Sequence, residues 1–527
     1  MERWIHVDLK HLPPTAEALC EDLGRWAGEG ATGVLLEWEN LFPYPGCAAV
    51  RDDAYTPAEV KTILDRCRAL GLKAVPLVQT LGHVEWCLSH PAYEPLREFP
   101  RDPRQLKACD PDSWRLVEGW LDAVMEAHGD TPFVHLGGDE AWGLRDVDRP
   151  DCSALRDGAS AVYLRHMRPL IAAVVARGKR PVLWADMVLS HPESINSFPR
   201  EVIFCDWFYR QTASHADRVH GWGMPQITEA SYDTLPESAR RTFEPYWRLD
   251  APDFPRQFYQ FPYVPFLRDH GFDVITASAC LYAGNAMSAT ALPKARANQR
   301  GWIEACRRFG GAGALDTCWS IRGALRETSR TAQRAFLMAA REFPIASDAA
   351  VSTACWASLA GDRAGVVAAA VDDLNPPVNL LTQSLANTFD PESRQHRMLP
   401  FAKRRDKLLE AMRTVADSEA AASEMSAAIA RSEKAVATLD AFCASCDETR
   451  AWTLAAREIA LHGRIWLALF DRVRSGNSDT TAIRRLADET ERMGSDFLSF
   501  ASGRYRPADL ATLREDRFEG LRHLLDK

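Results

Sequence analysis

A (β/α)₈ barrel followed by a helical C-terminal domain is the fold that the sequence predicts, and three observations support it. Short apolar runs alternate with helical patterns along roughly the first 340 residues, which indicates repeated βα units and a parallel sheet. There are eight such runs, the number that closes a barrel of this kind. Beyond about Pro344 the sequence becomes rich in Ala, Glu and Arg with helical periodicity.

The predicted strands set the order of the barrel. They begin near Trp4, Val34, Ala74, Phe133, Val182, Val202, Val274 and Ala314. A chain of 527 residues exceeds the size at which one hydrophobic core usually stops growing, so a second domain is expected. We therefore predict a barrel domain over residues 1–343 and an α-helical domain over residues 344–527.

The helix after the second strand shows how the local sequence supports this fold. Residues 56–59, Thr-Pro-Ala-Glu, are typical of a capping box with proline at the first helical position. Apolar residues then recur at i, i+3, i+4 and i+7 and predict one buried stripe, formed by Val60, Ile63, Leu64 and Cys67. Gly71 is placed to end the helix in the left-handed conformation.

The connection after the sixth strand is long, at about residues 210–268, and rich in Pro, Tyr, Phe and Trp. Loops of such length in compact domains tend to be functional, and on the carboxyl side of a barrel they can line a substrate cleft. We expect this connection to wall such a cleft.

Composition limits the partners and the compartment. The net charge is −9, from 63 basic and 72 acidic residues, which gives no basic footprint for nucleic acid or for an anionic membrane. A predicted strand follows Met1 almost at once, so no secretory leader is expected. The 13 cysteines lie mostly in apolar segments, as reduced thiols do. These features predict a cytoplasmic protein, and they leave a homodimer open.

Cys443 and Cys446 form the one Cys-x-x-Cys of the sequence. A zinc or redox site is one interpretation. The favoured one is a pair of ordinary cysteines in a helical region, because no second Cys/His pair lies nearby at ligand spacing. We expect neither a metal nor a cofactor.

Residues 135–140, His-Leu-Gly-Gly-Asp-Glu, are the most informative segment. A strand that ends in two glycines and two carboxylates places acid/base chemistry at the mouth of a barrel, and glycines would let a bulky ligand approach the backbone. The alternative is that Asp139 and Glu140 only cap the next helix, since acidic residues suit a helix N-terminus. The glycines and the barrel context favour the catalytic interpretation.

This segment resembles the His-x-Gly-Gly-Asp-Glu signature of glycoside hydrolase family 20, the β-N-acetylhexosaminidases. Three more segments carry the same resemblance, at residues 5–10 (IHVDLK), 35–44 (LLEWENLFPY) and 75–83 (VPLVQTLGH). The resemblance covers at least residues 1–320 and implies a retaining exo-β-N-acetylhexosaminidase that acts by substrate-assisted catalysis, an exception to the usual pair of facing carboxylates. It implies an amino-sugar glycoside as the substrate.

The resemblance also implies roles for the two carboxylates. The acetamido oxygen of the sugar attacks its own anomeric carbon, while Asp139 holds the acetamido N–H and Glu140 protonates the leaving oxygen. Water then opens the oxazolinium intermediate with Glu140 as the base. A general acid must be protonated near neutral pH, and an ionised Asp139 close by should raise the pKa of Glu140.

Aromatic residues near other strand ends fit the same resemblance. Trp184, Trp207 and Trp319 match the tryptophans that line the acetamido pocket in the family, although each alone could equally fill the core. After the sixth strand, Asp206 and Tyr209 are the candidates for gripping the sugar and its acetamido carbonyl. A further carboxylate that follows the fifth strand, that of Asp186, belongs to the pocket or to a salt bridge.

Three more candidates follow the first three strands. Lys10 stands where most family members have an arginine that binds sugar hydroxyls, and this departure leaves galacto substrates open; an ordinary lysine paired with Asp8 or Glu37 is the alternative. His83 is placed to buttress a catalytic carboxylate, or else is structural. Glu37 and Glu39 point the same way, and one of them is expected to bind a hydroxyl.

Two rival functions stay open at this point. One is a catalytically silent carbohydrate-binding or scaffold protein, which the intact Asp139 and Glu140 argue against. The other is a barrel glycosidase whose nucleophile is a distant carboxylate of the protein, for instance one after the sixth or seventh strand.

Overall fold

The computed structural model describes residues 1–145, 153, 157–282, 289–320, 323–342, 346–374, 408–410, 412–415, 418–441, 446–476 and 480–525. The chain divides into two compact units. The barrel unit comprises Met1–Lys10, Cys20–Ala279 and Ala297–Thr317, and the helical unit comprises His11–Leu19, Cys280–Arg296 and Cys318–Lys527. The predicted boundary at residues 343 and 344 lies outside the described residues, so the division at that point stays a prediction.

Eight parallel strands close the predicted barrel, in the order β1-β8-β7-β6-β5-β4-β3-β2. They are β1 Glu2–Asp8, β2 Gly33–Glu37, β3 Lys73–Leu77, β4 Phe133–His135, β5 Arg180–Trp184, β6 Ile203–Trp207, β7 Asp273–Leu281 and β8 Gly313–Cys318. Every strand begins within two residues of its predicted start, so this part of the prediction is confirmed.

The register brings the carboxyl ends of neighbouring strands to one level. Asp8 pairs with Glu37 across β1 and β2, and Leu77 pairs with His135 across β3 and β4. Trp184 pairs with Cys205 across β5 and β6. Residues just after these positions therefore meet at one end of the barrel, where enzymes of this fold place their active sites.

The helix after β2 runs over Pro57–Ala69 and confirms each local prediction. Thr56 and Glu59 form the reciprocal capping box, and the four residues of the predicted stripe are buried. Gly71 has φ +69°, and the amides of Gly71 and Leu72 donate to the carbonyls of Arg68 and Cys67. These two bonds form a Schellman motif, which lets β3 begin at once.

The other helices between the barrel strands follow the βα alternation. The long ones are Ala16–Glu29, Pro111–His128, Ala159–Ala176 and Leu292–Arg308. After β3, the short helix Glu85–Leu88 precedes a hairpin of Arg97–Phe99 and Asp102–Leu106. After β5 comes the short helix Asp186–Ser190.

The long connection after β6 has a folded structure of its own. It contains two small antiparallel pairs, His215–Ala216 with Phe258–Tyr259 and Arg218–Val219 with Ile227–Thr228. Its helices are Glu229–Tyr232, Glu237–Trp247 and Tyr263–Asp269. Aromatic side chains form its core, where Phe243 contacts both Trp247 and Phe266. The aromatic composition of the connection thus reflects packing as well as any lining of a cleft.

The helical unit is built as its sequence predicts. Its main helices are Arg330–Arg341, Asp348–Ala360, Ala364–Asp372, Ser418–Asp440, Asp447–Ser475, Thr480–Ala501, Pro507–Leu513 and Gly520–Leu525. Arg517 and Glu458 form an ion pair that is almost completely buried. Cys443 lies outside the described residues, and Cys446 caps the helix Asp447–Ser475. Among the helices of the described residues, none combines the length and apolarity needed to cross a bilayer.

Candidate active site

Two left-handed glycines shape the turn that follows β4. Gly137 has φ +60° and Gly138 has φ +81°, values that glycine tolerates best. A Cβ at Gly137 would lie 2.0 Å from Oε1 of Gln79, and one at Gly138 would lie 2.9 Å from the hydroxyl of Tyr163. Neighbouring protein side chains approach these glycines, so packing accounts for them, and close approach by a ligand stays a prediction.

Asp139 and Glu140 lie at the end of β4 and share one partner, His83, which follows β3. Nε2 of His83 is 3.4 Å from Oδ2 of Asp139 and 3.2 Å from Oε2 of Glu140. The side chain of Asp139 is 7% exposed, whereas that of Glu140 is 39% exposed. The pair therefore consists of one enclosed carboxylate and one that can be reached from outside.

A third carboxylate, that of Asp186, completes what we call the histidine cluster: His83, Asp139, Glu140 and Asp186. Oδ2 of Asp186 accepts the backbone N–H of Glu140 at 2.8 Å. Of the two alternatives for Asp186, a salt bridge is not found among the described residues. Its carboxylate instead holds the backbone of the candidate general acid.

The charges of the histidine cluster are strongly coupled. Burial would lower the pKa of His83, but the charges of Asp139 and Glu140 raise it to about 10. Burial raises the pKa of Asp139 to about 6, with the charge of His83 opposing the rise. Burial would likewise raise the pKa of Glu140, but the hydrogen bond and charge of His83 outweigh it and lower the pKa.

This electrostatic pattern corrects the expectation that Asp139 raises the pKa of Glu140. In this structure the pKa is raised on Asp139 and lowered on Glu140. The reason is that the protonated imidazole of His83 lies nearer Glu140 and that Asp139 is the more deeply buried of the two. The sequence could not show this because it does not reveal which carboxylate the imidazole approaches more closely.

A second group of charges, which we call the lysine cluster, lies at the ends of β1 and β2: Asp8, Lys10, Glu37 and Glu39. Nζ of Lys10 lies 2.9 Å from Oε1 of Glu37, 3.4 Å from Oε1 of Glu39 and 3.6 Å from Oδ1 of Asp8. Glu37 and Glu39 thus do point the same way. The pairing of Lys10 with acids is shown, and its binding of a sugar stays a prediction.

The neighbours of the lysine cluster fix its charges. Burial would lower the pKa of Lys10, but the three carboxylates hold it well above its ordinary value. Burial would raise the pKa of Glu37, but Lys10 and a hydrogen bond from His6 hold it far below. Gln79 also donates to Glu37, at 3.1 Å. Burial raises the pKa of Glu39 well above its ordinary value.

Backbone strain coincides with these two clusters. Glu39, His83 and Glu140 have φ of 48°, 54° and 48°, in the left-handed region that non-glycine residues rarely adopt. Such conformations cost on the order of 1–3 kcal/mol each and tend to occur at functional sites. Three of them at one end of the barrel support a site there.

An aromatic wall adjoins the histidine cluster. Trp207, at the end of β6, packs against Trp222 with ring centroids 4.6 Å apart and against Tyr209 at 5.1 Å. Trp142 stacks on Trp222 at 6.4 Å. The hydrogen bond of Trp142 to Glu140 also helps to lower the pKa of that carboxyl. Trp207 is therefore linked to Glu140 through Trp222 and Trp142, and binding of a sugar by Trp207 and Tyr209 stays a prediction.

The structure places three other candidates differently. Trp184 is almost completely buried and packs on His135, with ring centroids 4.5 Å apart. Asp206 takes the opposite face of β6 from Trp207, and its charge acts on Tyr263, so it is not brought together with the acid pair. Trp319 follows β8 in the helical unit, where its backbone N–H donates to the carbonyl oxygen of Leu281, and its place in a pocket stays a prediction.

Sequence reasoning missed two aromatic members of the wall and one amide of the lysine cluster. Trp222 lies in the long connection, whose richness in aromatic residues was the available signal. Trp142 follows Glu140 by two residues. Gln79 is the second residue after β3 and lies within the segment 75–83. Their positions at strand ends could have identified the last two.

Comparison with known proteins identifies relatives of part of this chain. No family model matches the chain. Hexosaminidase D from Homo sapiens is 35% identical over 248 residues, which are 44% of this chain and 50% of the human protein. Hexosaminidase D from Bos taurus is 35% identical over 197 residues, 36% of this chain and 57% of the bovine protein. The chain therefore spans about half the length of the curated relatives that it matches.

Among solved structures, the chitobiase of Flavobacterium johnsoniae aligns over 100% of this chain and 78% of its own, with a TM-score of 0.50 and 12% identity. At such low identity the likeness concerns the fold alone. The curated relatives support the predicted resemblance, and the solved structure supports the fold. The predicted resemblance of this chain to the β-N-acetylhexosaminidases of glycoside hydrolase family 20 is thereby confirmed.

Proposed function

We propose that the protein is a retaining exo-β-N-acetylhexosaminidase that removes terminal N-acetylgalactosamine or N-acetylglucosamine by substrate-assisted catalysis. One observation carries the proposal. Asp139 and Glu140 are neighbours in the chain, and both contact the same nitrogen of His83. Two adjacent carboxylates that share one partner do not resemble the pair that flanks a sugar ring in most glycosidases, so a nucleophile supplied by the substrate is favoured.

In the proposed first step, the acetamido oxygen attacks the anomeric carbon and the glycosidic bond breaks. Glu140, the more exposed of the pair, donates its proton to the leaving oxygen. Asp139 accepts the acetamido N–H and stabilises the positive charge of the oxazolinium. In the second step Glu140 takes a proton from water, which adds to the anomeric carbon and reopens the ring with net retention.

Substrate binding is expected to reverse the order of the pKa values of Asp139 and Glu140. An acetamido N–H that donates to Asp139 favours the ionised carboxylate there, which lowers its raised pKa. An ionised Asp139 in turn disfavours ionisation of Glu140, whose proton is then available for transfer. The intramolecular nucleophile requires only orientation, which a buried carboxylate can provide.

The test is a panel of aryl β-N-acetylglucosaminide, β-N-acetylgalactosaminide and β-glucoside at neutral pH. We expect hydrolysis of the two N-acetylated substrates and not of the glucoside, with the doubly substituted Asp139→Asn, Glu140→Gln protein as the inactive control. Efficient hydrolysis of the glucoside, or trapping of a glycosyl ester on a carboxylate, would place the nucleophile on the protein. Binding without any hydrolysis would favour the carbohydrate-binding alternative.

A thiazoline mimic of the oxazolinium gives a second test. It should inhibit competitively, because the pocket is expected to complement the cyclised species better than the substrate. Asp139→Asn should lower kcat by about 10²–10³-fold and weaken the inhibitor, since the amide can still accept a hydrogen bond but brings no negative charge. Unchanged inhibition in that variant would contradict the role of Asp139.

A further inference from the structure

The peptide bond that joins Asp139 to Glu140 is held on both of its edges. Its N–H donates to Oδ2 of Asp186 at 2.8 Å. Its carbonyl oxygen, that of Asp139, lies 2.2 Å from where a Cβ would stand on Gly82, so only glycine fits there. The orientation of this peptide determines where the carboxyl group of Glu140 points.

The conformation of Glu140 explains why such a hold is needed. Its φ of +48° is unfavourable for a residue with a side chain, and such a conformation persists only where the surroundings determine it. In an extended or right-handed conformation the side chain would leave its present position next to His83. The bond from Asp186 is a contact that acts directly on this amide.

Asp186 is well placed for this task, and its carboxyl group also interacts with the side chain of Trp207. It is completely buried, and it begins the short helix that follows β5, so a rigid element carries it. Its pKa is raised well above the ordinary value, first by burial and then by the charge of Asp139, with the Glu140 amide opposing the rise. A neutral or an ionised carboxyl group can each accept this N–H, so the bond survives a change of protonation.

We propose that Asp186 is a positioning residue that holds the Asp139–Glu140 peptide and thereby aims the carboxyl group of Glu140 at the glycosidic oxygen. The inference rests on the proposed function and extends it to a residue that acts through the general acid. Asp186 itself takes no part in proton transfer. Removal of the Asp186 side chain should therefore impair proton donation by Glu140 without removing the acid itself.

The test compares Asp186→Ala with Asp186→Asn on two N-acetylhexosaminides, one with an alkyl and one with a dinitrophenyl leaving group. Asp186→Ala should lower kcat on the alkyl glycoside by about 10²-fold, the usual cost of a small misplacement of a catalytic group. The loss on the dinitrophenyl glycoside should be much smaller, because that leaving group needs little protonation. Asp186→Asn keeps an acceptor oxygen and should retain most activity on both.

A double-substitution cycle separates positioning from a general loss of structure. In a Glu140→Gln background, Asp186→Ala should cause no further loss, since the group through which it acts is already disabled. Binding of the thiazoline reports on the integrity of the sugar pocket and should be kept in Asp186→Ala. Glu98→Gln is the matched control, because Glu98 is a buried acid that accepts a backbone N–H elsewhere in the barrel unit, at Ala108.

The outcomes are distinct. Additive losses in the cycle, equal losses for both leaving groups, or equal losses for Asp186→Ala and Asp186→Asn would overturn the positioning role while leaving the proposed function intact. An active wild type whose kcat does not respond to Asp186→Ala would do the same. A wild type that hydrolyses no N-acetylhexosaminide would overturn both proposals.

Discussion

Three carboxylates and one cationic side chain meet at the ends of β1 and β2, and the same set of groups recurs at the ends of β3, β4 and β5. In the lysine cluster the cation is Lys10, which contacts all three acids directly. In the histidine cluster the cation is His83, which contacts two acids while the third holds a backbone amide. The two clusters differ mainly in the kind of cation.

Because of this difference, Lys10 keeps a constant charge, whereas the charge of His83 depends on the protonation of its neighbours. The carboxylates keep the pKa of Lys10 well above its ordinary value, so the lysine stays charged at neutral pH. Asp139 and Glu140, with a contribution from Glu85, hold the pKa of His83 at about 10, and that pKa falls toward its ordinary value when either acid of the pair loses its charge. A permanent cation suits binding of hydroxyl groups, and a conditional one suits acid/base chemistry.

The largest effect should come from removing the proton donor of the histidine cluster. Glu140→Gln should lower kcat by about 10²–10⁴-fold on substrates with poor leaving groups and by much less on activated aryl glycosides. Steady-state kinetics on the two substrate types measures this difference. Glu118→Gln, at an exposed acid of the helix Pro111–His128, is the control and should remain active. Equal losses of activity in Glu140→Gln on both substrate types would indicate a structural role for Glu140.

Much of this site could be predicted from sequence because it lies at strand ends. The eight strands and the acid pair are local signals, since periodicity marks the strands and the segment 135–140 is contiguous. The grouping of Lys10 with Glu37 and Glu39 followed from the neighbouring positions of β1 and β2. Parallel strands bring their carboxyl ends together, so strand order alone places these side chains.

What the sequence could not predict depends on distances between separate segments. The lowered pKa of Glu140 follows from 3.2 Å to His83, a contact between residues 57 positions apart. The role of Asp186 follows from one hydrogen bond to a backbone amide. Neither of these has a pattern in the local sequence. The placement of Asp206 differs, because alternation along β6 puts adjacent residues on opposite faces and could have separated it from Trp207.

A smaller effect should follow from changing the permanent cation. Lys10→Ala should reduce kcat/KM by about 10–100-fold, as expected when a hydrogen bond to a charged group is lost. Lys10→Arg keeps the charge and should retain more activity. The wild type should accept N-acetylgalactosaminides at least as well as N-acetylglucosaminides, because the compact ammonium group is less geometrically selective than a guanidinium. A strong gluco preference that Lys10→Ala leaves unchanged would contradict a binding role.

Removing the charge of the conditional cation should shift the pH profile. His83→Gln keeps a hydrogen-bond donor but no positive charge, so the pKa values of both Asp139 and Glu140 should rise. If activity needs an ionised Asp139 and a protonated Glu140, both limbs of the kcat/KM profile should move to higher pH, by about one unit. A shift to lower pH would contradict the assignment, and His270→Gln, remote from the acid pair, should leave the profile in place.

The smallest effect on activity, and a clear one on stability, is expected at Asp206, a buried acid outside both clusters. Burial raises its pKa to about 8, and the Trp207 backbone amide opposes only part of the rise. Because the unfolded chain has the ordinary pKa near 4, the folded state binds more protons between about pH 4 and pH 8, and stability falls as the pH rises through that window. The cost is about 1.4 kcal/mol for each unit of the rise.

Asp206→Asn removes this dependence without changing the size of the side chain. The variant should gain unfolding free energy relative to the wild type on going from about pH 5 to about pH 8, as measured by denaturant titration at the two values. Its kcat/KM should stay close to that of the wild type, since the side chain faces Tyr263 rather than the acid pair. A large loss of kcat/KM with no pH-dependent gain in stability would instead indicate that Asp206 binds the sugar. A carboxylate that binds substrate would be solvated and ionised at neutral pH.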